Sequence, residues 1–279
     1  MKFDMVRAWD EAVATITANR EVMLIVAGIF FFLPAVAQGF AMPPMNTLFT
    51  AGNAAGMQQQ MWRFYADFGW MFVLTGLLQA VGTLALLALL RDYRRPTVGA
   101  AIRTGLLGVL PAIGAYLLIA LGFTIVLFAL ALVIGLAVAA LGGGTGGTLL
   151  GFVLFVAMVA LLVYASVRVS LLLPVIAIER LMNPVAAIRR SLTLTKGTTG
   201  RLFLFYLLLF IAYLVLAMVM GLAVAGLVLV LGQSLSLIVG SVLSGLIGAG
   251  FATVFAAVLA AVHRQLSGPS REAVAETFE

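Results

Sequence analysis

The stretch that decides the fold is residues 106–141, LLGVLPAIGAYLLIALGFTIVLFALALVIGLAVAAL, 36 residues without a charge. About 20 apolar residues are enough for one helix to cross a bilayer. The run lacks the two-residue alternation of a transmembrane strand, so a helix is favoured. We expect one long membrane-spanning helix here. The alternative is two short helices with a turn between them, for which the run is short.

Five further apolar runs have the same character. They are residues 22–40, 68–90, 148–178, 202–231 and 235–262. The chain of 279 residues is 64% hydrophobic and only 9% charged, whereas a soluble domain carries roughly 25% charged residues. The sequence therefore predicts an all-α, polytopic membrane bundle of six transmembrane helices, folded as one domain over residues 1–279. No cleavable signal peptide is predicted.

The two ends of the chain lie outside the apolar runs. In residues 1–20, Phe3, Val6, Trp9, Val13 and Ile16 recur every three or four positions. This spacing predicts an amphipathic helix that lies in the membrane interface. Residues 263–279 are expected to form a cytoplasmic tail.

The basic residues orient the six helices. With both termini inside, fifteen of the sixteen lysines and arginines fall on or towards the cytoplasmic side, and only Arg63 falls outside. Such asymmetry is the positive-inside pattern. It accounts for the net charge of +6 without a nucleic-acid partner, and it predicts attraction to anionic membrane lipids.

The side-chain inventory disfavours catalysis. The chain has no cysteine and one histidine, His263, so thiol chemistry and histidine-rich metal sites are excluded. Four methionines flank or occupy the long outer loop (Met42, Met45, Met57 and Met61). Thioethers can bind Cu(I), but without a supporting His or Cys we favour an apolar loop that dips into the headgroups. We predict no catalytic residues, metal or cofactor.

Two inner connections, residues 92–106 and 179–192, resemble each other. Each has an acid, basic residues, a proline and then Ala-Ala-Ile-Arg. Proline suits the first turn of a helix, and Thr97 and Asn183 are suitable N-caps. We expect a short elbow helix on the cytoplasmic surface in each connection, and two repeats made of spans two–three and four–five. The elbows supply candidate anion-binding residues: Arg94, Arg95, Arg103, Arg180, Arg189, Arg190 and Ser191.

Arg168 lies inside the fourth apolar run, where a charge is costly and often functional. Either its side chain extends to the inner headgroups, or it faces a cavity that holds an anionic headgroup or a carboxylate such as Glu179. Eleven residues place Arg168 and Glu179 on one face but about 16 Å apart along a straight helix. Glu179 is therefore expected to pair more easily with an elbow arginine. Structural pairing is favoured over a substrate site.

Small residues repeat every fourth position in the sixth apolar run. We predict helix packing along Ser236, Gly240, Ser244, Gly248 and Ala252, because small residues let helices approach closely in membranes. Packing within the chain against span one or five is favoured. The alternatives are a subunit interface with a partner membrane protein or a second copy, and a groove lined by ligand.

The stretch from Arg168 to Gly197 resembles a bacterial membrane-protein family. The residues that carry the resemblance are Arg168, Pro174, Glu179, Ala187, Arg189, Arg190, Ser191, Leu194, Thr195 and Gly197. The family comprises the membrane domain of some glycerophosphoryl diester phosphodiesterases and the YciC-like inner-membrane proteins. The resemblance implies a bacterial inner-membrane location, and the distribution of basic residues predicts that both termini are cytoplasmic. The soluble catalytic domain of the phosphodiesterase is absent here, so its activity is not implied.

Three functions remain open at this point. The first is a non-catalytic module that binds lipid or a partner protein in envelope homeostasis or membrane-complex assembly. The second is a transporter or channel for a small anionic or lipidic substrate, suggested by Pro111, Pro174 and the repeat. The third is a membrane-embedded lipid-modifying enzyme, which would need acid, base or metal groups that the sequence does not pair convincingly.

Overall fold

The computed structural model describes residues 3–42, 54–90, 97–140 and 144–268, and in these ranges the regular structure is entirely helical. Six segments are long and apolar enough to cross a membrane, which confirms the predicted fold class. They are Arg20–Ala41, Ala55–Leu89, Val98–Ala140, Thr145–Ile178, Thr199–Val228 and Leu237–Ser267. Each overlaps one of the six predicted runs.

Helix α1, Met5–Ala18, begins at Asp4, whose side chain accepts hydrogen bonds from the backbone N–H groups of Val6 and Arg7. It packs along the last helix of the chain through Ala8 and Ala12, which are fully buried. The predicted apolar face is therefore divided. Phe3 is buried and Ile16 partly so, whereas Val6, Trp9 and Val13 are exposed, because small alanines, not the large side chains, allow the close approach.

The first span is made of α2 (Arg20–Ala27), a π-helical turn (Gly28–Phe32) and α3 (Leu33–Ala41). Pro34 has no N–H group, so it cannot complete the regular hydrogen-bond ladder. The N–H group of Leu33 instead bonds to the carbonyl of Gly28, five residues earlier. The widened turn keeps the span helical through the proline.

Helices α4 (Ala54–Leu89) and α5 (Val98–Ala140) are both longer than a single crossing needs. The run of residues 106–141 forms one helix as far as Ala140, and not two short helices. The first elbow is not a separate helix in the described residues, which corrects that expectation. Thr97 caps the start of α5, because its side chain accepts a hydrogen bond from the N–H group of Ala100. The helix then continues without a break to Ala140, with Pro111 inside it.

The second elbow does form a separate helix. Helix α6 covers Thr145–Val169, α7 covers Leu172–Ile178 and α8 covers Pro184–Leu194. Asn183 caps α8 as expected, because its side chain accepts from the N–H groups of Val185 and Ala186. Of the two elbows, only this one is a separate helix in the described residues. The predicted repeat therefore does not include the elbows.

Helix α9, Thr199–Ser267, is broken at Gly232, where φ is +77° and ψ is 171°. Only glycine adopts this conformation readily. The two arms fold back on each other, since the rings of Tyr213 and Phe251 lie 4.4 Å apart. A Cβ atom at Gly240 would lie 3.0 Å from Val224 Cγ1. Spans five and six thus form a helical hairpin.

The small-residue face of the sixth span packs within the chain. A Cβ at Gly245 would lie 3.0 Å from Val36 of α3, and Gly240 meets the other arm of the hairpin. Ala252 is partly buried against the core, whereas Ser244 is exposed and the space beside Gly248 is open. The side chain of Ser236 lies outside the described part. Close packing therefore involves spans one and five, and Ser244 and Gly248 do not contribute to it.

Candidate functional site

The candidate site is built around the break between α6 and α7. Pro174 cannot donate to the carbonyl of Ser170, so the helix cannot run straight through this point. A helix end leaves its last carbonyl groups without helical donors. Here the carbonyl of Arg168 accepts from Ser191 Oγ at 3.0 Å and lies 3.1 Å from Thr195 Oγ1. Both hydroxyl groups come from the end of α8.

Ser191 and Thr195 are fully buried. Thr195 Oγ1 also lies 2.9 Å from the carbonyl of Ser191 and 3.4 Å from that of Leu192, so its single proton has three acceptors within reach. The backbone of Arg168 is consequently held by α8. This contact fixes where the arginine side chain leaves the helix.

The guanidinium of Arg168 has no carboxylate within ion-pair distance among the residues described. Its Cζ atom lies 5.9 Å from the ring centroid of Tyr164, one turn earlier in α6. A cation over an aromatic ring contributes about 0.5–1 kcal/mol at an exposed site. This contact orients the side chain but does not neutralise its charge.

Arg168 lines an open groove of about 430 Å³ between α5, α6 and α8, here called the arginine groove. Apart from Arg168 its lining is almost entirely apolar. The lining residues are Ile119, Gly122, Phe123, Val126, Tyr164, Ala165, Arg168, Val169 and Leu192. A cation without a carboxylate partner among the described residues, beside an apolar groove, suits an anionic amphiphile. Its charged group would pair with the cation, and its hydrocarbon chain would lie in the groove.

A second polar cluster lies at the other side of α8. The carboxylate of Glu179 accepts from Arg190 Nε at 3.0 and 3.1 Å and lies 2.9 Å from His263 Nε2. His263 is only 3% exposed, compared with 22% for Glu179 and 38% for Arg190. The expected pairing of Glu179 with an elbow arginine is observed, and Arg168 is not its partner.

His263 donates from Nε2, because a carboxylate is an acceptor. Its Nδ1 atom is buried and has no hydrogen-bond partner in the described residues. Nε2 is therefore the ring nitrogen whose hydrogen faces the Glu179 carboxylate.

Burial raises the pKa of Glu179, but hydrogen bonds from His263 and Arg190, together with their positive charge, outweigh it. The net result is a pKa below the ordinary value of 4.5. Glu179 is therefore ionised at neutral pH and forms an ion pair with Arg190. A carboxylate held in this state is a structural anchor and is poorly suited to donating a proton.

The link from α7 to α8 passes through a left-handed residue, Arg180, with φ of +55°. A residue with a side chain adopts this region at a cost of roughly 1 kcal/mol. Arg180 directly follows Glu179, and its side chain is exposed. The turn therefore directs Glu179 inward and the Arg180 side chain outward.

The other predicted basic residues are not part of either cluster. Arg103 and Arg189 are exposed, and Arg94 and Arg95 lie outside the described residues. Three consecutive residues of α8 carry the arrangement instead: Arg190 pairs with Glu179, Ser191 bonds to Arg168, and Leu192 lines the arginine groove.

Sequence reasoning missed the part played by His263 and Tyr164. His263 is 84 residues from Glu179, so no local spacing could connect them. His263 is the single histidine and directly follows the last apolar run, which is the only hint in the sequence. Tyr164 could have been noticed because it precedes Arg168 by four residues, which places both on one face of α6.

Neither similarity to known proteins nor a group of metal ligands in the described residues indicates a function. No family model, curated protein or solved structure matches the chain. The resemblance to the phosphodiesterase membrane domain accordingly stays a prediction. Within the described ranges, no three His, Asp or Glu side chains are grouped so as to hold a metal ion. Of the four methionines considered for Cu(I), Met45 lies outside those ranges.

Proposed function

We propose that this chain is a non-catalytic membrane protein that binds an anionic amphiphile, of which an acidic phospholipid is the simplest. The observation that carries the proposal is Arg168, whose guanidinium has no carboxylate partner in the described part of the chain and whose side chain lines an apolar groove. The anionic group would pair with the guanidinium, and a hydrocarbon chain would lie against Ile119, Phe123 and Val126. The first contact pairs the charge of the guanidinium, and the second buries the apolar surface of the groove.

The setting of Arg168 supports a binding role over a purely structural one. A structural charge in or beside a membrane span is usually paired within the protein, as Glu179 is with Arg190. Arg168 differs because Ser191 fixes its backbone while its guanidinium has no carboxylate partner among the described residues. A preorganised but unpaired cation gains more from a ligand than a mobile one, since less side-chain freedom is lost on binding.

The proposed location is a bacterial inner membrane with both termini in the cytoplasm, where anionic lipids are abundant on the same side as the arginines. Arg7 of α1 and Arg264 near the end of α9 both contact the carboxylate of Glu11, and His263 brings the Glu179 cluster to the same part of α9. Because the chain lacks cysteine, a single cysteine at exposed Ala14 can be labelled in intact and in opened cells. Labelling in intact cells by a membrane-impermeant reagent would contradict this orientation.

Lipid selectivity of the purified protein tests the proposed function. Native mass spectrometry in a neutral detergent would compare phosphatidylglycerol with phosphatidylcholine at equal concentrations. We expect the anionic lipid to be preferred, and Arg168→Gln to reduce its affinity about tenfold, as for the loss of one charged hydrogen bond. Arg103→Gln removes the same charge from an exposed position and serves as the matched control.

The outcome that contradicts the proposal is clear from the same data. If Arg168→Gln and Arg103→Gln retain equal preference for phosphatidylglycerol, the lipid is attracted by overall charge and not by the groove. Thermal unfolding of both variants in the same detergent shows whether the fold is intact.

A further inference from the structure

A second groove lies on the opposite face of α6 from the arginine groove. It has a volume of about 710 Å³ and is open along the side of the bundle. Its lining comes from α6 and from the first turns of α9, and it is nearly all apolar. We call it the Phe203 groove, after one of its lining residues, which are Phe155, Val156, Val159, Ala160, Val163, Tyr164, Val167, Thr199, Gly200 and Phe203.

The two grooves are separated by one helix and share one side chain. Tyr164 lines both of them, and its ring is the one beside the Arg168 guanidinium. Both volumes lie within the range of about 300–1,000 Å³ that is typical of small-molecule sites. A single ligand can therefore reach both grooves only by straddling α6 at the level of Tyr164 and Arg168.

One residue, Thr195, is hydrogen-bonded to a lining residue of each groove. Thr195 contacts the carbonyl of Arg168 through its hydroxyl group at 3.1 Å. The carbonyl of Thr195 accepts from the hydroxyl of Thr199, which lines the Phe203 groove, at 3.0 Å. Arg168, which lines one groove, and Thr199, which lines the other, are thus both hydrogen-bonded to the residue at the end of α8.

We propose that the ligand is a two-chain anionic phospholipid, whose phosphate pairs with Arg168 and whose acyl chains lie one in each groove on either side of α6. This inference rests on the proposed function and adds the number of chains. A ligand with a single chain would fill the arginine groove and leave the Phe203 groove to bulk lipid. A two-chain ligand buries apolar surface in both grooves, at roughly 25 cal/mol for each Å².

Each groove contains a glycine at which a larger side chain can act as a plug. A Cβ atom at Gly122 in the arginine groove, or at Gly200 in the Phe203 groove, would meet no atom within 4 Å. Leucine at either position would therefore extend into the groove without a backbone clash. Gly226, in the first arm of α9, has the same open surroundings but lies outside both groove linings, so Gly226→Leu is the matched control.

The experiment compares phosphatidylglycerol with its one-chain lyso form, which has the same headgroup. Native mass spectrometry would measure both affinities for the full chain and for the three glycine variants. Phosphatidylcholine and its lyso form would show how much of any difference comes from hydrophobicity alone. We expect the two-chain anionic lipid to bind about tenfold more tightly than the lyso form, beyond that background.

The plug variants are expected to separate the two chains. Gly200→Leu should remove the advantage of the second chain and leave lyso-lipid affinity unchanged. Gly122→Leu should weaken both lipids, and Gly226→Leu should weaken neither. Equal affinities for the two lipids, or a two-chain advantage that survives Gly200→Leu, would overturn the two-chain inference.

Failure of this inference differs from failure of the proposed function. If Arg168→Gln abolishes selective binding while Gly200→Leu has no effect, the ligand is a one-chain amphiphile in the arginine groove. If Arg168→Gln has no effect on either lipid, both proposals are wrong.

Discussion

The carboxylate of Glu179 lies 2.9 Å from Nε2 of His263, across 84 residues of sequence. This contact joins the end of α7 to the last turns of α9, and Arg190 connects α8 to the same carboxylate. One acidic side chain therefore connects three helices. Because Arg190 is followed by Ser191 and Leu192 in α8, the cluster also positions the residues that touch Arg168 and its groove.

Removing the charge of Glu179 is expected to destabilise the bundle. Glu179→Gln retains the shape of the side chain but weakens its charged hydrogen bonds to Arg190 and His263. We expect the free energy of unfolding to fall by about 1–3 kcal/mol, the usual contribution of hydrogen bonds to charged groups. Thermal unfolding in detergent measures the loss.

Asp10→Asn is a suitable control, because Asp10 is exposed on α1 and the change is chemically the same. Its unfolding temperature should match that of the unmodified chain. Equal unfolding temperatures for Glu179→Gln and Asp10→Asn would show that the cluster does not hold the helices together.

The stabilisation by Glu179 should depend on pH in one direction. Its pKa is lower in the folded protein than its ordinary value of 4.5, so folding favours the ionised form. The contribution is then fully present above about pH 4.5 and is lost as the pH falls through the lower, folded-state pKa. The difference in unfolding temperature between the unmodified chain and Glu179→Gln should be constant near neutrality and shrink in acid.

A difference that instead grows as the pH falls would mean that the Glu179 pKa is raised by folding. The same series on Asp10→Asn corrects for carboxylates elsewhere in the chain. A detergent without titratable headgroups ensures that the micelle itself does not change across the pH range.

The sequence was sufficient to predict the six spans because each apolar run must satisfy its backbone groups as a helix. It also predicted α8 from Asn183 and Pro184, whose capping chemistry is local. The sequence did not show that only the second elbow would form a separate helix. Pro96 lies outside the described residues and α5 starts directly after Thr97, whereas residues 179–183 separate α7 from α8. The backbone turn at Arg180 has no signature in the sequence.

The candidate site was predicted only in part, because its geometry depends on contacts between distant segments. Arg168, Glu179, Arg190 and Ser191 stood out by residue type, but the partner of each depended on how α8 packs. The apolar grooves could not be predicted, since their volume is set by the spacing of α5, α6 and α9. His263 needed the whole bundle to reach Glu179.

The hairpin of α9 should depend on Gly232, whose φ of +77° and ψ of 171° suit glycine alone. Gly232→Ala is expected to cost about 1–3 kcal/mol, the usual cost of a side chain in this conformation. Gly226→Ala lies within a regular arm of the same helix with open space around it, and it should be neutral or stabilise by up to about 1 kcal/mol. Thermal unfolding of the two variants provides the comparison, and equal values would contradict the hairpin turn at Gly232.

The carbonyl of Arg168 offers a test of how α8 holds the break in the fourth span. Ser191 and Thr195 both reach this oxygen, so either hydroxyl can satisfy it alone. We expect Ser191→Ala and Thr195→Ala each to cost up to about 1 kcal/mol, because the remaining hydroxyl still donates. The double variant leaves a buried carbonyl without a donor, and it should cost about 3 kcal/mol, more than the two single changes together.

Thr193→Ala is the matched control for this cycle. Thr193 is exposed on α8, and its hydroxyl bonds to the carbonyl of Arg189 within the same helix. The cost of combining Ser191→Ala with Thr193→Ala should therefore equal the sum of the single costs. If Ser191→Ala and Thr195→Ala are also additive, the two hydroxyl groups act independently, and the position of Arg168 does not depend on their shared contact with its carbonyl.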